Sequence, residues 1–133
     1  MNQVASYSFN LEPVPPFRLD LTAWILRRRP DNQIDRWDGR TYRRILVLEG
    51  EPVEAAVTQA GPPEAPRLTV FLSGAGAGPD LEAGVTAYLA RLLGIDVDLG
   101  AFYQFAGRHA DLKRLSVQFR GAKPPRFSTH FEA

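Results

Sequence analysis

The sequence predicts an α+β fold: an antiparallel sheet of four to five strands, two helices packed on it, and a C-terminal helical pair. Three observations predict this. Thr41–Leu48 and Val53–Thr58 alternate with period two on either side of Glu49-Gly50-Glu51-Pro52, which is the pattern of an antiparallel hairpin. Leu81, Val85, Tyr88, Leu89 and Leu92 recur at the spacing that gives a helix one apolar face. From Ile95 onward the pattern turns helical and stays so.

Taken in order, Tyr7, Phe9 and Leu11 alternate with polar neighbours, so Val4–Leu11 is expected as the first strand, stopped by Pro13, Pro15 and Pro16. A helix follows, with Asp20 as its N-cap, Leu21, Trp24, Ile25 and Arg28 on one face, and Pro30 at its end. Arg27, Arg28 and Arg29 fall in its last turn, where cations suit the helix dipole. The triplet is open to two readings, a solvated helix terminus or a nucleic-acid contact. Asp38-Gly39 is a second turn signal, so Ile34–Trp37 is expected as a short strand before the central hairpin.

In that hairpin the first arm is apolar on both sides, with Ile45 and Val47 on one and Tyr42, Leu46 and Leu48 on the other, as an inner strand requires. The second arm, with Val53, Ala55 and Val57 in register, has one dry face and one wet face. Leu68, Val70 and Leu72 mark another strand. The run Gly74–Asp80 carries no Lys-Ser or Lys-Thr, and Asp80 and Glu82 already occupy the following helix N-terminus. Those carboxylates repel a phosphate, so the run is a connector. Gly94 is expected at the end of the helix it starts. Asp98 and Asp111 are expected to cap the last two helices, one bearing Leu99, Phe102, Tyr103 and Ala106, the other Leu112, Leu115 and Phe119. Phe102, Phe105, Leu115 and Phe119 exceed what one small, already covered sheet can bury, so an exposed apolar patch is expected there. Thr129-x-x-Glu132 is a capping box, which announces a further helix, so the sequence is expected to be part of a longer protein.

With 16 basic and 15 acidic residues, overall charge identifies no partner. Its distribution says more: Arg108–Phe127 holds six basic residues and one acid, so the remainder is net acidic. The absence of cysteine excludes disulfides, thiolate catalysis and Cys-ligated zinc, and two histidines in separate contexts offer no ligand set. No metal or cofactor is therefore expected. With neither a signal peptide nor an apolar run of membrane-spanning length, a cytoplasmic protein without a membrane partner is the expectation.

The order of elements, with Arg36-Trp-Asp-Gly-Arg-Thr-Tyr-Arg-Arg44 in the hairpin, then Gly94-Ile-Asp-Val-Asp-Leu99, Phe102-Tyr103, Phe119-Arg120-Gly121, Pro124-Pro125-Arg126-Phe127 and Phe131-Glu132, resembles the N-terminal region of bacterial DNA-3-methyladenine glycosylase II proteins of the helix-hairpin-helix superfamily. The resemblance runs from about Pro15 to Ala133 and rests on a succession of weak motifs. It implies a TATA-binding-protein-like α+β domain over residues 1–95 and the first helices of a helical catalytic domain over 96–133.

It also implies a parent enzyme that excises alkylated bases in DNA repair, acting on double-stranded DNA and monomeric at full length. The family's helix-hairpin-helix and catalytic aspartate would lie beyond Ala133, so this chain alone is expected to be inactive. Asp96, Asp98 and Asp111 match caps and connectors rather than that aspartate. Phe17, Trp24 and Ile25 are the implied wall of the base pocket, with ordinary core packing as the other reading for Trp24. Arg120, Lys123 and Arg126 are the implied phosphate contacts, or else an unselective solvated surface. The competing class is a self-contained small α+β binding module without catalysis. It would leave no large apolar surface on the last two helices.

Overall fold

The computed structural model describes residues 5–29 and 31–124. Five strands form one antiparallel sheet: β1 (Ala5–Leu11), β2 (Arg36–Trp37), β3 (Tyr42–Leu48), β4 (Glu51–Ala60) and β5 (Arg67–Gly74), in the order β1-β5-β4-β3-β2. The helices are α1 (Leu19–Arg27), α2 (Glu82–Leu93), α3 (Gly100–Ala106) and α4 (Ala110–Gln118), with a 3-10 turn at Pro79–Leu81 leading into α2. This is the expected α+β architecture.

Register explains the core. Tyr42 faces Val57, which faces Val70, which faces Phe9, while Arg44 lines up with Ala55, Leu72 and Tyr7. Since side chains alternate across a strand, these rows share one face. Leu19, Ala23 and Leu26 of α1 and Val85, Leu89, Leu92 and Leu93 of α2 complete the core with them. The other face is open. There Glu54 bridges Arg36 at 3.0 Å and Arg43 at 3.3 Å, and Ile45 and Val47 stand 58% and 65% exposed. The apolar second side expected of β3 is thus not buried, because no layer among the described residues covers it and β2 is only two residues long. Glu49 and Gly50 both have positive φ (54° and 79°), so the turn is a two-residue one. Glu51 and Pro52 belong to β4, paired with Leu48 and Val47.

Two helix starts differ from expectation. α1 begins one residue before Asp20, and it buries Leu19, Thr22, Ala23 and Leu26 instead of Leu21, Trp24 and Ile25. Its sequence is apolar around much of its circumference, so spacing alone left the face open. Gln59 decides it. The side chain accepts from Leu19 N–H at 2.7 Å and donates to Phe17 C=O at 2.9 Å, pinning the helix start to β4. Asp20 instead pairs with Arg18 at 2.6 Å. Likewise α4 starts at Ala110, with Asp111 inside its first turn. Asp98 does receive the Gly100 N–H, at 2.8 Å. Gly94 closes α2 in the left-handed conformation, φ 66°.

Candidate functional site

The three residues named as a base-pocket wall part company. Phe17 is fully buried in the core beneath the α1 N-terminus, so it offers no surface to a ligand. Trp24 is 64% exposed, which also overturns core packing as its role. It sits on the outer side of α1 because Ala23 and Leu26 take the inner one. Ile25 is half-buried beside it.

The tail cations separate too. Lys123 is fully buried, so it is no phosphate contact. Its ammonium donates to the Val97 carbonyl, its backbone N–H donates to Thr22 Oγ1 at 3.3 Å, and burial pushes its pKa down against the opposing pull of Asp98. Arg120 forms a fork with Glu64 at 2.8 and 3.3 Å and lies over the Tyr103 ring, 4.8 Å from its centre. The bond to Arg120 lowers the Glu64 carboxyl pKa, and Glu64 in return raises that of Arg120. Arg126 lies outside the described residues.

A cleft of about 720 Å³ opens where α1 ends, lined by Asp20, Trp24, Ile25, Arg27, Arg28, Arg29 and Trp37. The chain turns sharply there. Arg28 has φ 56° and ψ −41°, and Arg29 N–H donates to Arg27 C=O across it, a γ-turn of the rare, strained hand. Arg27, Arg28 and Arg29 all line the cleft, while β2 brings Trp37 to its wall. The one carboxylate in the lining, Asp20, is already bridged by Arg18. One side of the Trp24 indole is stacked on Phe119 at 6.1 Å and 7°. Sequence reasoning placed Trp37 in a short strand and left the Arg triplet open. Its neighbours in the chain, Arg36 and Asp38, gave no sign that β2 folds back beside α1.

Beside this cleft a buried ion pair holds the loop between α1 and β2. Arg44 Nη1 donates to Asp35 Oδ1 at 2.9 Å, with both side chains almost wholly enclosed. The Tyr42 hydroxyl donates to the same oxygen, Asn32 Nδ2 lies 3.4 Å from Oδ2, and Arg44 Nη2 reaches the Tyr88 hydroxyl at 3.3 Å. Burial, then the Asp35 charge, drives the Tyr42 phenol pKa far upward. For Arg44 burial alone would lower the pKa, but the bond and charge of Asp35 outweigh it and the net shift is upward. The network is closed off from solvent, so it positions the loop and offers no reactive group. Among the described residues no group of three or more His, Cys, Asp or Glu side chains could hold a metal ion, and no helix is long and apolar enough to cross a membrane.

The last two helices carry little of the core. Ala106 is the only buried residue of α3 and α4. Phe105 and Leu115 are 53% and 46% exposed, as the expected apolar patch requires.

No family model matches the sequence, and no curated protein matches it. Among solved structures the chain is similar to a 3-methyladenine DNA-glycosylase from Archaeoglobus fulgidus, with a TM-score of 0.67 and 20% identity, over 91% of this chain. The match covers 39% of the archaeal chain. At that identity the likeness establishes the fold, the five-stranded antiparallel α+β scaffold expected from the sequence.

Proposed function

We propose that this chain is the N-terminal α+β part of a DNA glycosylase that removes alkylated bases from duplex DNA. The observation that carries the reading is the bare apolar side of α3 and α4, on a scaffold that matches 39% of the length of a glycosylase. A helix pair this exposed calls for a covering layer. In this reading the further helices of the enzyme supply it, and with it the helix-hairpin-helix and the catalytic aspartate.

The chemistry follows from the substrate. The damaged base leaves the stack and enters a pocket. The N-glycosidic bond breaks with its electron pair going to the base, so a cationic alkylated purine departs neutral. The sugar gains oxocarbenium character, which a facing carboxylate stabilises. Water adds to the anomeric carbon and loses a proton, leaving an abasic site. Trp24 and Ile25 are this chain's contribution, an apolar wall whose indole attracts a cationic purine.

The test uses the whole reading frame to which this chain belongs, expressed in bacteria lacking their own alkyl-purine glycosylases. It should restore survival under a methylating agent, and the purified product should release 3-methyladenine from methylated duplex DNA. Residues 1–133 alone should do neither. A whole product that leaves methylated DNA untouched overturns the reading, and base release by the purified chain alone overturns the assignment of the chemistry to other helices.

A further inference from the structure

We infer that the open side of β3 joins two copies of this chain, with Ile45 and Val47 at the centre of a two-fold interface and Arg43 of each copy meeting Glu49 of the other. Arg43, Ile45 and Val47 alternate with Tyr42, Leu46 and Leu48, which pack in or against the core. They therefore stand together on the sheet face that no layer among the described residues covers. Ile45 and Val47 are 58% and 65% exposed, Ile34 beside Ile45 is exposed as well, and Pro52 pairs with Val47 on the neighbouring strand. Contiguous apolar side chains left in water mark a surface that another molecule covers.

Charge says which molecule. Along β3 the open side runs from cation to anion: Arg36 and Arg43 at one end, Ile45 and Val47 in the middle, and the turn with Glu49 and Glu51 at the other. At the first end Glu54 takes one bond from each arginine, so one net positive charge remains, and each guanidinium keeps N–H donors to spare. At the other end Glu49 and Glu51 are exposed, and neither carboxylate has a bonded partner among the described residues. Such a stripe is complementary to itself turned end for end. A two-fold axis beside Leu46 sets Ile45 against Val47 of the second copy and Arg43 against its Glu49, and each contact occurs twice. A nucleic acid lacks this match, because the free carboxylates repel its phosphates. A groove of about 580 Å³ at the positive end, lined by Asn32, Gln33, Ile34, Arg36 and Ile45, gives the incoming turn a seat. The turn stands clear of its own chain, with nothing within 4 Å of a Cβ placed on Gly50. This inference does not rest on the glycosylase reading, since it uses only the sheet face opposite α1 and α2. It replaces the monomer implied by the family resemblance with a dimer.

The test is sedimentation equilibrium of the intact chain over a range of concentrations, with an unfolding curve for every variant. The expected result is a monomer–dimer equilibrium. Ile45→Lys, at an exposed position, should abolish the dimer and leave the chain folded. Arg43→Glu should weaken the dimer roughly tenfold, because like charges then meet at both ends of the interface, and Glu49→Lys should do the same. The double variant should restore association. Residues 43 and 49 lie about 20 Å apart along one extended strand, so that recovery can arise only between copies. Leu115→Lys, on the bare side of α4, should leave the dimer as it was. A chain that stays monomeric at every attainable concentration overturns the inference. So does a double variant that associates no better than either single one. Dissociation by Leu115→Lys and not by Ile45→Lys overturns it too, by assigning the dimer to the helical pair. None of these results bears on base release by the whole enzyme, so the two readings fail separately.

Discussion

Trp24 and Phe119 lie with their rings 7° from parallel and 6.1 Å apart, joining the outer side of α1 to the residue that ends α4. It is an aromatic contact on the outside of α1, and both rings keep some solvent exposure. Trp24→Ala should therefore cost about 1 kcal/mol, the worth of an aromatic pair, and not the ~3–5 kcal/mol of a buried tryptophan. Urea unfolding followed by far-ultraviolet circular dichroism measures it. A loss above about 3 kcal/mol would mean that Trp24 is a core residue after all.

Asp35 and Arg44 set a second expectation. Removing one partner strands the other charge in the core, so Asp35→Leu or Arg44→Met alone should destabilise the fold by roughly 3–5 kcal/mol. The double variant should recover much of that loss, since no buried charge remains. A double-mutant cycle in denaturant checks this, and simple additivity would show that the pair is not coupled.

Two buried groups give stability opposite slopes with pH. Lys123 has a folded pKa below its ordinary 10.5, so on approach to that pH the unfolded chain holds more protons and stability rises with pH. Tyr42 has a folded pKa far above its ordinary 10.0, so its contribution is complete below pH 10.0 and is lost as pH climbs beyond it. Urea unfolding between neutral pH and the tyrosine range should show a rise and then a fall. Lys123→Met should abolish the rise and leave the fall, and a rise that persists in that variant would assign it to another group.

Hydrogen exchange should separate the two halves of the chain. α3 and α4 bury one residue between them, whereas β3 and β4 sit in the sheet with Tyr42, Leu46, Val53 and Val57 in the core. Amides of 100–118 should open far more readily than those of 42–58. Equal protection in a demonstrably monomeric sample would favour a self-contained binding module over a glycosylase part.

How much of this was legible in the sequence depends on whether a residue's role is set by its neighbours in the chain. Strands β3, β4 and β5 were, because period-two alternation fixes which face of a sheet is dry, and Leu81–Leu92 gave α2 for the same reason at helical spacing. The face of α1 was not, because Gln59, forty residues on, settles where that helix starts. Lys123 read as a surface cation because charge in a basic stretch implies solvent, and nothing local announces that Val97 and Thr22 enclose it. The cleft was half legible. Trp24 and Ile25 could be named from resemblance, but bringing Arg27–Arg29 and Trp37 to the same space takes a turn at Arg28 that spacing does not encode.

Lys123 also governs how the helical pair is attached. Its ammonium meets the Val97 carbonyl, which lies just before α3, and its own backbone comes just after α4, while Gly94 leaves no room for a side chain: a Cβ there would come within 2.7 Å of Lys123 Cβ. Gly121 adds a stitch, accepting the Arg18 N–H at 2.8 Å and donating to the Tyr103 hydroxyl at 3.2 Å. The chain thus leaves the sheet layer and returns to it through one doorway, with both helices hanging outside. Such a lobe can be lengthened or shortened at its tip, around Gly107 and Arg108, without the sheet registering the change.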